Sequence, residues 1–120
     1  GLVRVVLIHH PPLPDLAPPR RALRDARALA SVLEEKGAEL VLHGHNHRDH
    51  HLDFAWSRGR VPIVGIASAS MGRVHKDEPL GRYNLLRITR SSSGARIECT
   101  TRGLDPTTSF VEHIDHRLIA

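Results

Sequence analysis

Cysteine is almost missing: Cys99 stands alone in 120 residues. That excludes an intramolecular disulfide and fits a reducing compartment, so a cytoplasmic location is expected. Lysine is nearly as scarce, with only Lys36 and Lys76, and the net charge of +4 and pI near 10.2 therefore come from arginine. Aromatic residues make up 3% of the chain, which leaves little to stack on nucleic-acid bases. The arginines are spread along the length and interrupted by carboxylates, so a solvated basic surface is preferred to a nucleic-acid face. Long apolar runs are lacking too. Residues 5–8 and 63–67 fall far short of the roughly 20 residues that a bilayer-crossing helix needs, and no membrane partner is expected. There is neither an initiator Met nor a basic segment leading into an apolar one. The chain opens almost directly onto a strand, and residues upstream of it are expected to be missing.

What is present points to a globular α/β chain. Hydrophobic residues reach 40% and charged residues 25%, and the length suits one domain or part of one. Residues 3–8, apolar apart from Arg4, are expected to be a strand buried on both faces, with His9 at its C-terminal end. Pro11, Pro12, Pro14, Pro18 and Pro19 then forbid regular structure. Helical spacing of Leu23, Ala26, Leu29, Ala30 and Leu33 predicts a helix over 20–36, begun by Pro19 and capped by Gly37. Its charges would oppose the helix dipole, with Arg20, Arg21 and Arg24 early and Glu34 and Glu35 late. A second strand is expected at 39–42, parallel to the first, because a crossover helix joins them. Beyond it, strand-like runs at 52–56, 61–66, 83–89 and 95–101 alternate with turn signals at 57–60 and 91–94 and predict antiparallel hairpins. The tail, 105–120, has no clear period and is expected to be a short strand or a loose segment.

Histidine is the residue in excess. Seven of the ten fall in two groups, His9 and His10, then His43, His45, His47, His50 and His51. Neutral imidazole binds divalent transition metals well. Topology sharpens this, because two parallel strands joined by one helix bring His9 and the 43–47 segment to the same C-terminal sheet edge, where open α/β sheets bind ligands. His9, His45 and His47 are the expected metal ligands, and Gly44 is expected to let the backbone approach a crowded centre. His43 is expected to orient the loop from behind the ligands. His50, His51, His75, His113 and His116 read as ordinary histidines, since a short His-rich tract is often a solvated loop.

Ile8-His9-His10-Pro11-Pro12 resembles the fourth signature block of the calcineurin-like metallophosphoesterases, a His followed two positions later by Pro. Gly44-His45-Asn46-His47 resembles the fifth, Gly-His-x-His, and a helix of suitable length lies between the two. Val61-Pro62-Ile63-Val64-Gly65, Ser68, Ser70 and Arg82-Tyr83-Asn84-Leu85-Leu86 are similar to the strands that follow in the bacterial cyclic-nucleotide phosphodiesterase-like branch. The resemblance implies an α/β (α+β) fold, half of a four-layer αββα sandwich, with residues 1–120 as the C-terminal part of a single domain. It implies two divalent ions (Mn, Fe, Zn or Co), with His9 and His45 on one and His47 on the other. Gly44 and Asn46 would stand behind the ligands, and His10 would occupy a variable position next to a ligand, either behind it or facing the substrate. The activity implied is hydrolysis of a phosphoester, a phosphodiester in the leading reading, by a hydroxide bridging the two ions.

Of the family's earlier blocks, Gly-Asp and Gly-Asn-His-[Asp/Glu] occur nowhere in this sequence, and the bare Asp-x-His spacing occurs only as Asp49-His50-His51, after the Gly-His-x-His block rather than ahead of it. Neither Asp49 nor Asp53 is marked by its spacing as a substitute for the bridging carboxylate. The isolated chain is therefore expected to be inactive and to associate with a missing N-terminal half, or with itself, through an exposed sheet edge. A non-catalytic His-rich metal-binding or interaction module remains the alternative, with a basic nucleic-acid-binding protein behind it.

Overall fold

A computed structural model describes residues 2–57 and 59–120. Gly1, and Arg58 within the expected 57–60 turn, lie outside the described residues. The order of elements is β1 (Val5–Ile8), a 3-10 turn (Pro19–Arg21), α1 (Ala26–Lys36), β2 (Leu40–His43), β3 (His50–Trp56), β4 (Gly59–Gly65), β5 (Arg82–Ser91), β6 (Gly94–Leu104) and β7 (Val111–Leu118). A four-stranded sheet has the order β1-β2-β4-β3, and a three-stranded sheet the order β5-β6-β7. β1, β2 and β4 run parallel, whereas β3 and the whole second sheet are antiparallel to their neighbours. The fold is thus mixed α+β, with one crossover helix followed by hairpins.

The helix begins later than the periodicity implies. Arg21 N–H donates to Pro18 O at 2.8 Å and closes a single 3-10 turn, after which Ala22 is extended (ψ 158°) and the helix restarts behind Asp25. Arg20, Arg21 and Arg24 therefore precede α1, and the supposed clash with its dipole is confined to Glu34 and Glu35 in the last turns. Gly37 ends the helix at φ 70°, its N–H donating to Leu33 O at 2.8 Å. A Cβ there would meet Trp56 Cη2 at 2.3 Å, so both the backbone conformation and the packed indole require glycine.

Two apolar cores follow from strand alternation. On one face of the first sheet, Val41, Val61 and Ile63 pack with Leu33 of α1, and Val6, Ile8, Phe54 and Trp56 join them. On the other face, Leu40 and Val64 meet Ile97 of the second sheet, with Leu42, Leu86 and Ile119 around them. The molecule is three layers, helix, sheet and sheet, and α1 is the sole α-helix among the described residues.

Two expectations need correction. β1 is an edge strand rather than a strand buried on both faces. Val6 and Ile8 pack toward α1, while Leu7, on the face shared with the second sheet, is 77% exposed. The tail is not loose, since β7 pairs with β6 over Val111–Leu118. Its apolar alternation is broken because the register shifts at Thr101/Arg102 and because Arg117 and Asp115, paired with Cys99 and Thr101, share the inner face of the sheet. β7 lies above β3, as Arg117, Leu118, His51 and Asp53 line one cavity, and β5 is on the opposite side, toward β1.

Candidate functional site

Strand register gathers the histidines. Ile8 stands opposite His43, His43 opposite Gly65, and Gly65 opposite His50, so one row crosses the sheet at its C-terminal edge. The next residues continue the pattern: Gly44 N–H donates to His9 O at 3.1 Å and Ile66 N–H to His43 O at 3.2 Å. Past this row His45 Nδ1 lies 3.3 Å from His9 Nε2. His10 joins them, its ring centroid 4.4 Å from that of His45 and 5.1 Å from that of His9.

His47 leaves the same loop in another direction, with Nδ1 3.1 Å from Glu78 Oε2. Among the described residues, no three His, Cys, Asp or Glu side chains are arranged around one ion position.

The loop is shaped by its backbone. His45 (φ 68°) and His47 (φ 53°) both adopt the left-handed region, which costs roughly 1–2 kcal/mol for a residue with a Cβ. Asn46 between them holds this conformation: its N–H donates to Gly44 O at 2.8 Å, and its Nδ2 donates to Leu16 O at 2.8 Å. The second bond staples the Pro-rich segment to the histidine loop. Gly44 itself is under little steric demand, since an added Cβ would meet His9 Nδ1 and O at 3.9 Å. The glycine that the site needs is Gly65, where a Cβ would stand 2.6 Å from His43 Cε1 and 3.1 Å from His50 Cβ.

Burial favours the neutral form of two imidazoles of the site, His43 and His45. His43 is 4% exposed, its Nδ1 is 3.1 Å from Gly44 O, and its Nε2 is buried without a partner. Desolvation holds its pKa below the ordinary 6.5, partly countered by the Gly44 carbonyl. His43 packs edge-on to His50 at 5.9 Å and so sits beneath the loop. His45 is lowered as well, first by burial and then by the charges of His10, His9, Arg21 and His47. Its Nε2 is a second buried nitrogen without a partner. A neutral imidazole offers a lone pair, which is what a metal ligand requires.

Sequence reasoning missed three participants. Glu78, whose carboxyl is held below the usual range chiefly by its bond to His47, comes from the 66–81 loop, 31 residues beyond its partner. Asp49 accepts from Ala67 N–H at 3.3 Å and pairs with Arg82, tying the histidine loop to the start of β5. Gly65 was legible only as a strand residue. No local spacing marks any of the three, since each is defined by the chain that folds back on it. Of the remaining histidines, His116 bonds Thr100 Oγ1 at 2.9 Å, and His75 bridges to Glu78.

No protein-family model matches the chain, and no curated protein sequence matches it significantly. Solved structures do. Vps29 from Entamoeba histolytica complexed with Zn2+ superposes with a TM-score of 0.54 at 17% identity, covering 88% of this chain and 52% of that one. A single-mutant form of the same protein gives 0.53 at 18% identity, covering 96% and 57%. At such identity the likeness is one of fold alone, that of Vps29. The chain spans little more than half the length of these neighbours.

Proposed function

We propose that this chain supplies the histidine half of a two-ion phosphoesterase centre acting on phosphodiesters, with His9 and His45 serving one ion and His47 the other. The observation that carries the reading is the 3.3 Å between His9 Nε2 and His45 Nδ1. Two nitrogens on one tetrahedral ion at bonds of about 2.0–2.1 Å stand about 3.3 Å apart, so the pair is already spaced as ligands of a single ion. Without an ion the same spacing accommodates one shared N–H···N bond. Mn, Fe, Co or Zn all suit such donors, and the Vps29 neighbour complexed with Zn2+ supports a divalent ion.

The residues have separable tasks. Glu78, by accepting a hydrogen bond from the His47 Nδ1–H, leaves Nε2 as the lone-pair nitrogen and fixes the ring, as carboxylates beside metal-binding histidines do. Asn46 and the Gly44 carbonyl hold the loop's strained backbone, and His43 fills the space beneath it. His10, stacked on His45, faces the ions or the substrate. Bound divalent ions supply charge neutralisation for phosphoryl oxygens and activation of water. The Gly-Asp and Gly-Asn-His carboxylate blocks of the family have no counterpart in this sequence, and Asp49, in its Asp-x-His string, is taken up by Ala67 N–H and Arg82; under this reading the carboxylate ligands come from residues outside it. The flanking structure supports that. Val5 and Leu7 of β1 and Ile88 of β5 are exposed along one open side of the sandwich, where further strands, or a second copy of the chain, would cover them.

Metal titration tests the reading. The chain is expected to bind Zn2+ or Mn2+ more tightly than its His45→Ala, His47→Ala variant, and to hydrolyse phosphodiesters negligibly by itself. Equal affinity of both forms would place the binding elsewhere and leave an interaction module as the better account. Robust turnover by the isolated chain would overturn the half-site.

A further inference from the structure

We infer that the recess beside the histidine loop is an oxyanion subsite, built to receive a second phosphate-type group that the substrate carries beyond its scissile phosphate. The recess is a cavity of about 310 Å³ lined by Leu16, Pro18, Arg21, Asn46, Arg48, Asp49 and His50. Larger cavities exist, about 370 Å³ between the sheets, about 340 Å³ beside the β5–β6 turn and about 500 Å³ beside the Pro-rich segment; none of these, nor the recess itself, is lined by His9, His45 or His47, but of the four the recess alone includes a residue of the 43–47 loop, Asn46. The small recess is the one that borders the candidate centre: Asn46 is its wall, and the charge of Arg21 is felt at His45.

Its electrostatics favour an anion. Asp49 is the acid lining it, and both carboxylate oxygens are occupied, one by Ala67 N–H and one by Arg82. Arg48 has Asp77 at 3.8 Å, but both side chains are well exposed, which leaves that pair weak. Among the described residues no ion pair engages Arg21. Two guanidiniums thus remain to offer forked N–H donors, the geometry that phosphate oxygens match. His50, with Nδ1 buried and unpartnered, adds a further polar group to the lining.

The recess is also preformed. Pro18 and Pro19 restrict the backbone on one side, the Arg21–Pro18 bond closes the turn that carries Arg21, and the Asn46–Leu16 bond fastens the two walls together. At this volume it suits a small polar group rather than a large apolar one. The assignment to substrate rests on the phosphoesterase reading; the affinity for an oxyanion does not.

The test is a titration of the metal-free chain with inorganic pyrophosphate, followed through backbone amide shifts and by calorimetry. Shifts are expected to concentrate at Arg21, Asn46, Arg48 and His50. Arg21→Ala and Arg48→Ala should each weaken binding about tenfold. Arg21→Lys, which keeps the charge and loses the fork, should recover part of the loss, and Arg90→Ala, a basic residue elsewhere on the surface, should have no effect. Because these side chains are exposed, unchanged amide spectra in the absence of anion would verify that the variants fold. Equal weakening by Arg90→Ala, or shifts spread over the arginine-rich surface, would reduce the recess to unspecific charge and overturn the proposal. His45→Ala should leave anion binding intact. Failure of metal binding with localised pyrophosphate binding would remove the phosphoesterase reading and keep the subsite, and the converse result would do the opposite.

Discussion

Replacing Glu78 is the most informative single perturbation of the histidine centre. Its carboxylate meets His47 Nδ1 at 3.1 Å, and the bond lowers the Glu78 pKa more than any other influence on it. Glu78→Gln keeps an oxygen acceptor but loses the charge; Glu78→Ala removes both. Losing such an outer partner of a metal-binding histidine costs about 10–100-fold in metal affinity. The two side chains are 44% and 25% exposed, so solvent screening puts the Gln variant near the tenfold end, with Ala larger. Competition of the chain with a chelator for Zn2+ measures the affinity, and imidazole 15N shifts read the tautomer of His47. Glu78→Ala should shift the proton away from its fixed place on Nδ1. Unchanged affinity together with an unchanged tautomer would show that Glu78 and His47 are merely neighbours, and the assignment of Nε2 to an ion would lose its support.

Gly65→Ala should destabilise the fold by about 1–3 kcal/mol in chemical denaturation, because its Cβ overlaps the buried His43 ring, whereas Gly44→Ala should be tolerated better; the reverse order would refute the packing argument. Burial holds His43 and His51 below 6.5 in the folded chain, so their contribution to stability is complete above that pH and is lost as pH falls through the folded values; denaturation midpoints at pH 8, 6.5 and 5 should decline in that order for the metal-free chain, and a flat profile would contradict the desolvation argument. Leu7→Glu should suppress self-association seen by light scattering with little change in stability, since Leu7 is mostly exposed; association that persists unchanged would acquit the β1 edge.

The parallel β1–α1–β2 unit was legible in the sequence because it is local: a proline-bounded segment, a helical period and two apolar runs specify it within about forty residues. His9 and His45 came together for the same reason, since the register Ile8↔His43 places the residues after both strands at one edge. The hairpins were legible from turn signals, down to the Ser91–Gly94 turn between β5 and β6. What was hidden depends on distant chain. An apolar run reads the same on an edge strand as on a central one, so the exposure of Leu7 could not be seen. The strand character of Val111–Leu118 was masked by a register shift and by the charged inner residues Asp115 and Arg117. Glu78 reaches His47 only through the 66–81 loop, which carries no periodicity at all.

The exposed residues also constrain what would complete the sandwich. Val5 and Leu7 belong to the inner face of the first sheet, by their pairing with Leu40 and Leu42, and Ile88 to the inner face of the second, by its pairing with the buried Ile97. All three are exposed, and the inter-sheet cluster of Leu40, Val64 and Ile97, with Leu42 and Leu86, includes no residue of β1. The flatness of the molecule agrees: its shortest extent is 17 Å, and its radius of gyration is 15.3 Å, against about 13.6 Å for a compact chain of this length. A single strand added at β1 would pair that edge and still leave Ile88 uncovered. A partner of the proposed kind would have to cover Ile88 as well as the β1 edge. Strands added beside β1 would end near His9, so a partner of that form would deliver its own side chains to the histidine edge. On the half-site proposal, closing the apolar core and supplying carboxylates to the histidine edge would be consequences of one docking event.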